Sequence, residues 1–122
     1  MMSFKIEYDQ SSKIVTVEYN GAVSLEDRLT AVKEVCTSCS HLDPLRLLID
    51  VVNIDMQLST KEQKYFGKHL ATNVGLTNAK VAVLHGKGNN PNIVVDTVAF
   101  IKGYQLVQFD IKKEALSWLE SA

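Results

Sequence analysis

The residues best placed by type and spacing to do chemistry are a hydroxyl pair, Ser59 and Thr60, nine positions after the acidic residue Asp50. A phosphate on Ser59 or Thr60 at a helix start would meet free backbone N–H groups and the cations of Lys61 or Lys64. It would also change the surface charge shown to a partner. The same residues serve as a helix start. Ser59-x-x-Glu62 has capping-box spacing, and Leu58 stands where a hydrophobic staple would pack. At this level both readings stand.

Three other groupings come close to chemistry. Cys36-x-x-Cys39, with His41 nearby, has the look of a redox or metal pair. Redox thiols of this spacing sit at a helix N-terminus, where the dipole lowers their pKa. These fall in the last turns of a helix, where the dipole raises it. A structural zinc site takes four ligands and no second pair is present, so buried thiols and no metal are expected. The segment HGKGNNPN (85–92) is rich in Gly and Asn between a strand and a helix. It could hold an anion, with His85, Gly86, Gly88 and Asn90 as ligands and Asp50 near the same sheet edge. It lacks Walker and dinucleotide spacing and is also an ordinary turn. Finally, Asp50, His85 and Ser59 could be drawn as a triad, but no G-x-S-x-G elbow accompanies them. No catalytic residue and no cofactor is therefore expected, and the chain is read as a non-enzyme.

The bulk numbers limit the partners. Thirteen basic residues against fourteen acidic ones leave a net charge of -1 over 122 residues. That balance carries no footprint for nucleic acid. IVVDTVAFI (93–101) is interrupted by Asp96 and is too short to span a bilayer, so no membrane insertion is expected. The first ten residues have no apolar h-region, and two cysteines suit a reducing compartment, which points to a cytoplasmic protein. A hydrophobic share of 46% and this length fit one domain, residues 1–122.

The elements follow from periodicity. Phe4, Ile6 and Tyr8 alternate with Lys5, Glu7 and Asp9, and IVTVEY (14–19) follows after a short turn, predicting an antiparallel hairpin ended by Asn20-Gly21. Ser24 precedes a helical stripe of Leu25, Leu29, Val32, Cys36 and Cys39, which Pro44 and its neighbours break. Strands are predicted at 45–52, 80–85 and within 104–109. Helices are predicted at 59–74, stopped by Gly75, from Pro91 to Gly103, and after a cap at Asp110 with Ile111, Ala115, Trp118 and Leu119 on its stripe. The fold class is α/β, a five-stranded mixed, mostly parallel sheet with four helices in the order β-β-α-β-α-β-α-β-α. Leu45, Leu47, Ile49 and Val51 share one face while Arg46 and Asp50 lie on the other, so one sheet face should be covered well and the other only in part.

This order and the stretch LLIDVVNIDMQLSTKEQ (47–63) resemble the STAS superfamily of anti-sigma-factor antagonists, most closely its SpoIIAA-like branch of small bacterial domains. The likeness covers the whole chain, including the closing FDIKKEALSWL (109–119). It implies a β-α superhelical sheet with an antiparallel first strand. It also implies a phosphoacceptor at Ser59, with Thr60 at the second hydroxyl. Leu58 stands where the family carries Asp, and Lys61 where it carries Gly. The function expected is a small interaction and regulatory module with a protein partner. The alternative is a carrier or sensor of a small apolar or anionic ligand, a lipid or nucleotide. The helix of residues 93–101 is apolar on most of its surface. It is expected either to border a deep core or cavity or to form a homodimer interface through Val95 and Phe100.

Overall fold

The computed structural model describes residues 3–39, 45–72, 79–88, 90–91, 93–101 and 105–121, with the side chains of Cys39, Ala71, Phe100 and Ile101 outside that set. Its elements are β1 (Phe4–Asp9), β2 (Ile14–Val23), α1 (Leu25–Cys39), β3 (Arg46–Met56), α2 (Thr60–Thr72), β4 (Lys80–Leu84), α3 (Ile93–Ile101), β5 (Leu106–Phe109) and α4 (Lys112–Glu120). The expected breaks at Pro44 and Gly75 and the helix end at Gly103 lie outside the described residues.

The five strands are ordered β1-β2-β3-β4-β5, with β1 antiparallel to β2 and every later pair parallel. From β2 onward each strand is laid down on the same side of its predecessor. Right-handed crossovers then place α1, α2 and α3 on one face. The helix α4 follows the last strand and closes no crossover, so it is free to fold onto the other face, where it packs on β3, β4 and β5. The large core, between the sheet and α1–α3, holds Val15, Val17, Tyr19, Leu47, Val51, Val81, Val83, Phe66 and Val95. A smaller one under α4 holds Ile14, Leu48, Ala82, Leu84, Ala115 and Leu119. The unequal cover expected from the third strand is thus present.

Two strands run longer than their apolar stretches. The strands β2 and β3 stay paired through Gly21, Ala22 and Val23 against Ile54, Asp55 and Met56, past the end of β4 at Leu84. Asn20-Gly21 is not a terminator. Gly21 takes φ +68 beside a register shift between Glu18 and Asn20, a conformation a side chain would resist.

Elsewhere the local chemistry is direct. At the start of α1, Ser24 Oγ accepts from the Asp27 N–H and Asp27 Oδ2 from the Ser24 N–H, both at 3.1 Å. Gly67 lets α2 and α3 touch. A Cβ there would lie 2.6 Å from the Val95 carbonyl oxygen and 2.9 Å from Val98 Cβ. Gly67→Ala should therefore lose about 1–3 kcal/mol by overpacking, despite Ala's better helix propensity, as read by urea unfolding. A gain in stability would mean that α3 shifts freely.

The cap of α4 departs from expectation. Its N-cap is Ile111, with no side-chain bond, and Asp110 is exposed. Ile111 is itself 42% exposed, so the buried stripe is Ala115 and Leu119, flanked by a half-buried Trp118. The other end of α4 is held by the strand starts. Arg46 Nε donates to the Leu119 carbonyl at 2.7 Å. Lys80 Nζ donates to the carbonyls of Trp118 and Ser121 and to Ser121 Oγ, and stands 4.5 Å from the Trp118 ring centroid. Arg46 and Lys80 are register partners on adjacent strands. Two cations thus meet the last carbonyls and the negative end of one helix.

Candidate functional site

The start of α2 has the geometry of a capping box. Ser59 Oγ accepts from the Glu62 N–H at 3.1 Å, and Glu62 Oε1 accepts from the Ser59 N–H at 2.9 Å. Leu58 is buried, but its staple partner is absent. Gln63 occupies that position and donates from Nε2 to the Leu58 carbonyl at 3.0 Å. Ser59 and Thr60 both lie on the surface. Ser59→Ala should lose about 0.5–2 kcal/mol, whereas Ser59→Asp should lose little because Asp also caps. Equal losses in chemical denaturation would remove Ser59 as the cap.

The triad is not assembled. Asp50 pairs in register with Leu84, whose side chain packs under α4, so Asp50 points to the α4 face. The helix α2 packs on the opposite face through Phe66, so Ser59 heads an element on the other side of the sheet. Asp50 Oδ1 accepts from the Val52 N–H at 3.0 Å, and His85 Nδ1 lies 2.8 Å from the Gly86 carbonyl. Of the other loop residues, Gly88 supplies a positive φ of 75°. Asn90 donates from Nδ2 to Asp96 Oδ2 at 2.9 Å. The loop amide is therefore turned to a carboxylate in the first turn of α3, where an anion would meet negative charge.

Two residues outside the sequence-level candidates are the most unusual chemically. Arg28 of α1 and Asp96 of α3 are each 1% exposed. The Arg28 guanidinium lies 5.3 Å from the Tyr19 ring centroid and 5.5 Å from that of Phe66, and it donates to Met56 Sδ at 3.7 Å. Burial pushes its pKa down, while Tyr19 and Asp96 act in the opposite sense, and an arginine so placed stays charged. Asp96 also accepts from Gln108 Nε2 at 3.1 Å. Both side chains line a small, mostly apolar cavity of about 40 Å³, together with Tyr19, Phe66, Leu47 and Val83. That space suits a water or two. Pockets for drug-sized ligands run to about 300–1,000 Å³, so the cavity as it stands is too small for a lipid or nucleotide.

Burial also pushes the Tyr19 phenol up to about 12, with Arg28 opposing. Below the ordinary value of 10 both folded and unfolded chains keep this proton, so stability is unaffected there. Above it the unfolded chain loses the proton first. Stability should fall by about 2–3 kcal/mol from pH 10 to about 12, in a limb that Tyr19→Phe abolishes.

The Val95 contact expected on α3 needs correction. Val95 is fully buried within the single chain, against the large core, and so offers no surface to a second copy. The apolar wrap of this helix serves the core on one side and contact with α2 on another. Ile93 is its exposed large apolar side chain, at 47%, and the Phe100 side chain lies outside the described residues. Arg28 was legible in principle. With Ala31, Val32 and Val35 it falls on one i, i+3, i+4, i+7 stripe, which places a cation on the buried face of α1. Asp96 was the one charge within an apolar helix.

The sequence matches no family model and no curated protein. The fold does have a solved counterpart. The chain is similar to an uncharacterised protein of the DUF3478 family with a SpoIIAA-like fold from Shewanella loihica PV-4. Identity is 21%, covering 95% of this chain and 91% of that one, with a TM-score of 0.59. At that identity the likeness speaks for the backbone and not for residue roles. The protein thus has a SpoIIAA-like fold, a five-stranded mixed sheet with an antiparallel first strand, as its sequence resemblance implied.

Proposed function

We propose that this protein is a small protein–protein interaction module that engages its partner through the outward face of α2. The observation that carries this reading is the composition of that face. From the exposed Ser59 and Thr60 it presents Lys61, Lys64, Tyr65 and Lys68, with Tyr65 54% exposed on a chain whose net charge is -1. A local basic stripe around an exposed aromatic ring favours an acidic partner surface. Ser59 gives that face a regulatory handle, because a phosphate of about −1.5 to −2 charges would offset the neighbouring lysines. The sheet order also supports binding over catalysis. The strands β2 to β5 never reverse direction across the sheet, so the fold has no switch-point crevice of the kind in which open α/β sheets bind ligands.

The test compares tagged wild-type chain with Lys61→Glu/Lys64→Glu/Lys68→Glu in cells of its source, with co-purifying proteins quantified and complexes weighed by native mass spectrometry. A partner held by wild type and lost from the triple variant is the expected result. A retained small molecule, or a partner held equally by both chains, would overturn the reading. A mass of twice the chain, lost in the same variant, would make the partner a second copy.

A further inference from the structure

We propose that the groove between α1 and α2 seats an acidic amphipathic helix of the partner, with apolar side chains entering the groove and carboxylates meeting lysines on its rim. This names the partner class for the α2 face and rests on the interaction reading above. The groove is open to solvent and offers about 490 Å³, lined by Leu29, Val32 and Cys36 on α1 and by Tyr65 and His69 on α2. It runs along α1 from Leu29 to Thr37, roughly 12 Å at 1.5 Å per residue, which matches about two turns of an incoming helix. Its floor is apolar, and on its α2 wall the Tyr65 and His69 rings lie nearly parallel, with centroids 6.3 Å apart and planes 19° apart. A helix laid in such a groove anchors through residues spaced i, i+3 or i+4, and an exposed tyrosine is a favoured anchor.

Charge selects among occupants. Lys61 lies one turn before Tyr65 and Lys68 one turn after, both exposed, and Lys33 lines the groove from α1. The acidic residues beside the groove are Glu26, two turns before Lys33 on α1, and Glu62, one turn before Tyr65 on α2; set against Lys33, Lys61 and Lys68 they leave the rim a small positive excess. An acidic helix meets this rim favourably, whereas a basic one would be repelled. A bare anion would gain nothing from the apolar floor.

The probe is a fluorescein-labelled 14-residue helix-forming peptide, with Leu at i, i+3/i+4 spacing and Glu elsewhere, titrated with the full chain at low salt. Saturable binding is expected, falling at least tenfold in Tyr65→Ser and in Lys61→Glu/Lys68→Glu, and absent for the same peptide with Lys for Glu. In a Cys39→Ser background, bound peptide should also slow alkylation of Cys36, whose thiol is pushed up by burial and lines the groove floor. Circular dichroism confirms that each variant is folded. Tyr65→Ser lies on an exposed side chain and keeps the test open if the charge reversals misfold. Absence of saturable binding, equal binding of the Lys peptide, or affinity unchanged in both variants would each overturn the groove. If the peptide fails while the triple lysine variant still loses a cellular partner, the interaction reading stands and this occupant does not. If both fail, both are wrong.

Discussion

Arg28→Ala should lose about 3–5 kcal/mol, the largest effect of any substitution considered for this chain. The reason is asymmetric. Arg28 is 1% exposed between two aromatic rings, and its charge is balanced partly by the equally buried carboxylate of Asp96. Truncation removes the cation and its packing, and with it the attraction that Arg28 exerts on the buried Asp96 carboxyl, which keeps its bonds from Asn90 and Gln108. The paired variant Arg28→Met/Asp96→Leu removes both charges and fills the volume. It should recover most of the loss, because well-packed apolar residues often replace a buried ionic pair at little cost. Urea unfolding of the two single variants and the double gives the coupling directly. Additive losses would show that Arg28 and Asp96 act independently, and that the rings rather than the carboxylate hold the guanidinium.

Lys80→Met should cost about 2–3 kcal/mol, since charge-assisted hydrogen bonds contribute about 1.5–3 kcal/mol and the carbonyls left behind are partly buried. Methionine keeps the length of the stem and removes the ammonium that bonds to Trp118 and Ser121. The chain has one tryptophan, so Trp118 emission reports the site without labelling. Its spectrum should shift in Lys80→Met, because the ammonium stands 4.5 Å from its ring. The last turn of α4 should also exchange its amide hydrogens faster. An unchanged spectrum and unchanged unfolding midpoint would mean that Arg46 alone secures this end of the helix.

The elements that were legible from composition and spacing are those where one local interaction decides. Ser24 and Ser59 each precede a helix with an acidic residue three positions on, and both boxes form. Phe4, Ile6 and Tyr8 alternate, and β1 pairs with β2 in the register that puts Phe4 opposite Tyr19. Readings that failed needed knowledge of a neighbour. Asn20-Gly21 has turn chemistry, yet pairing with Asn53 and Ile54 keeps it in a strand. Asp110 has cap chemistry, but the helix begins after Ile111 and the expected cap bond is not made.

For the site the division is sharper. The sequence by itself determined the order of elements, the mixed sheet with its SpoIIAA-like connectivity, and the hydroxyl pair at the start of α2 with Lys61 and Lys64 beside it. All of these are read within one helix or strand, where periods of 3.6 and 2 are set by backbone geometry. Only the tertiary structure decided that Asp50 and Ser59 lie on opposite sides of the sheet, and that Val95 belongs to the core. It alone brought Arg28 and Asp96 to the wall of one cavity and opened a groove between α1 and α2. Those outcomes depend on which faces of distant elements meet. That choice is made by packing summed over the whole sheet, which no local pattern encodes.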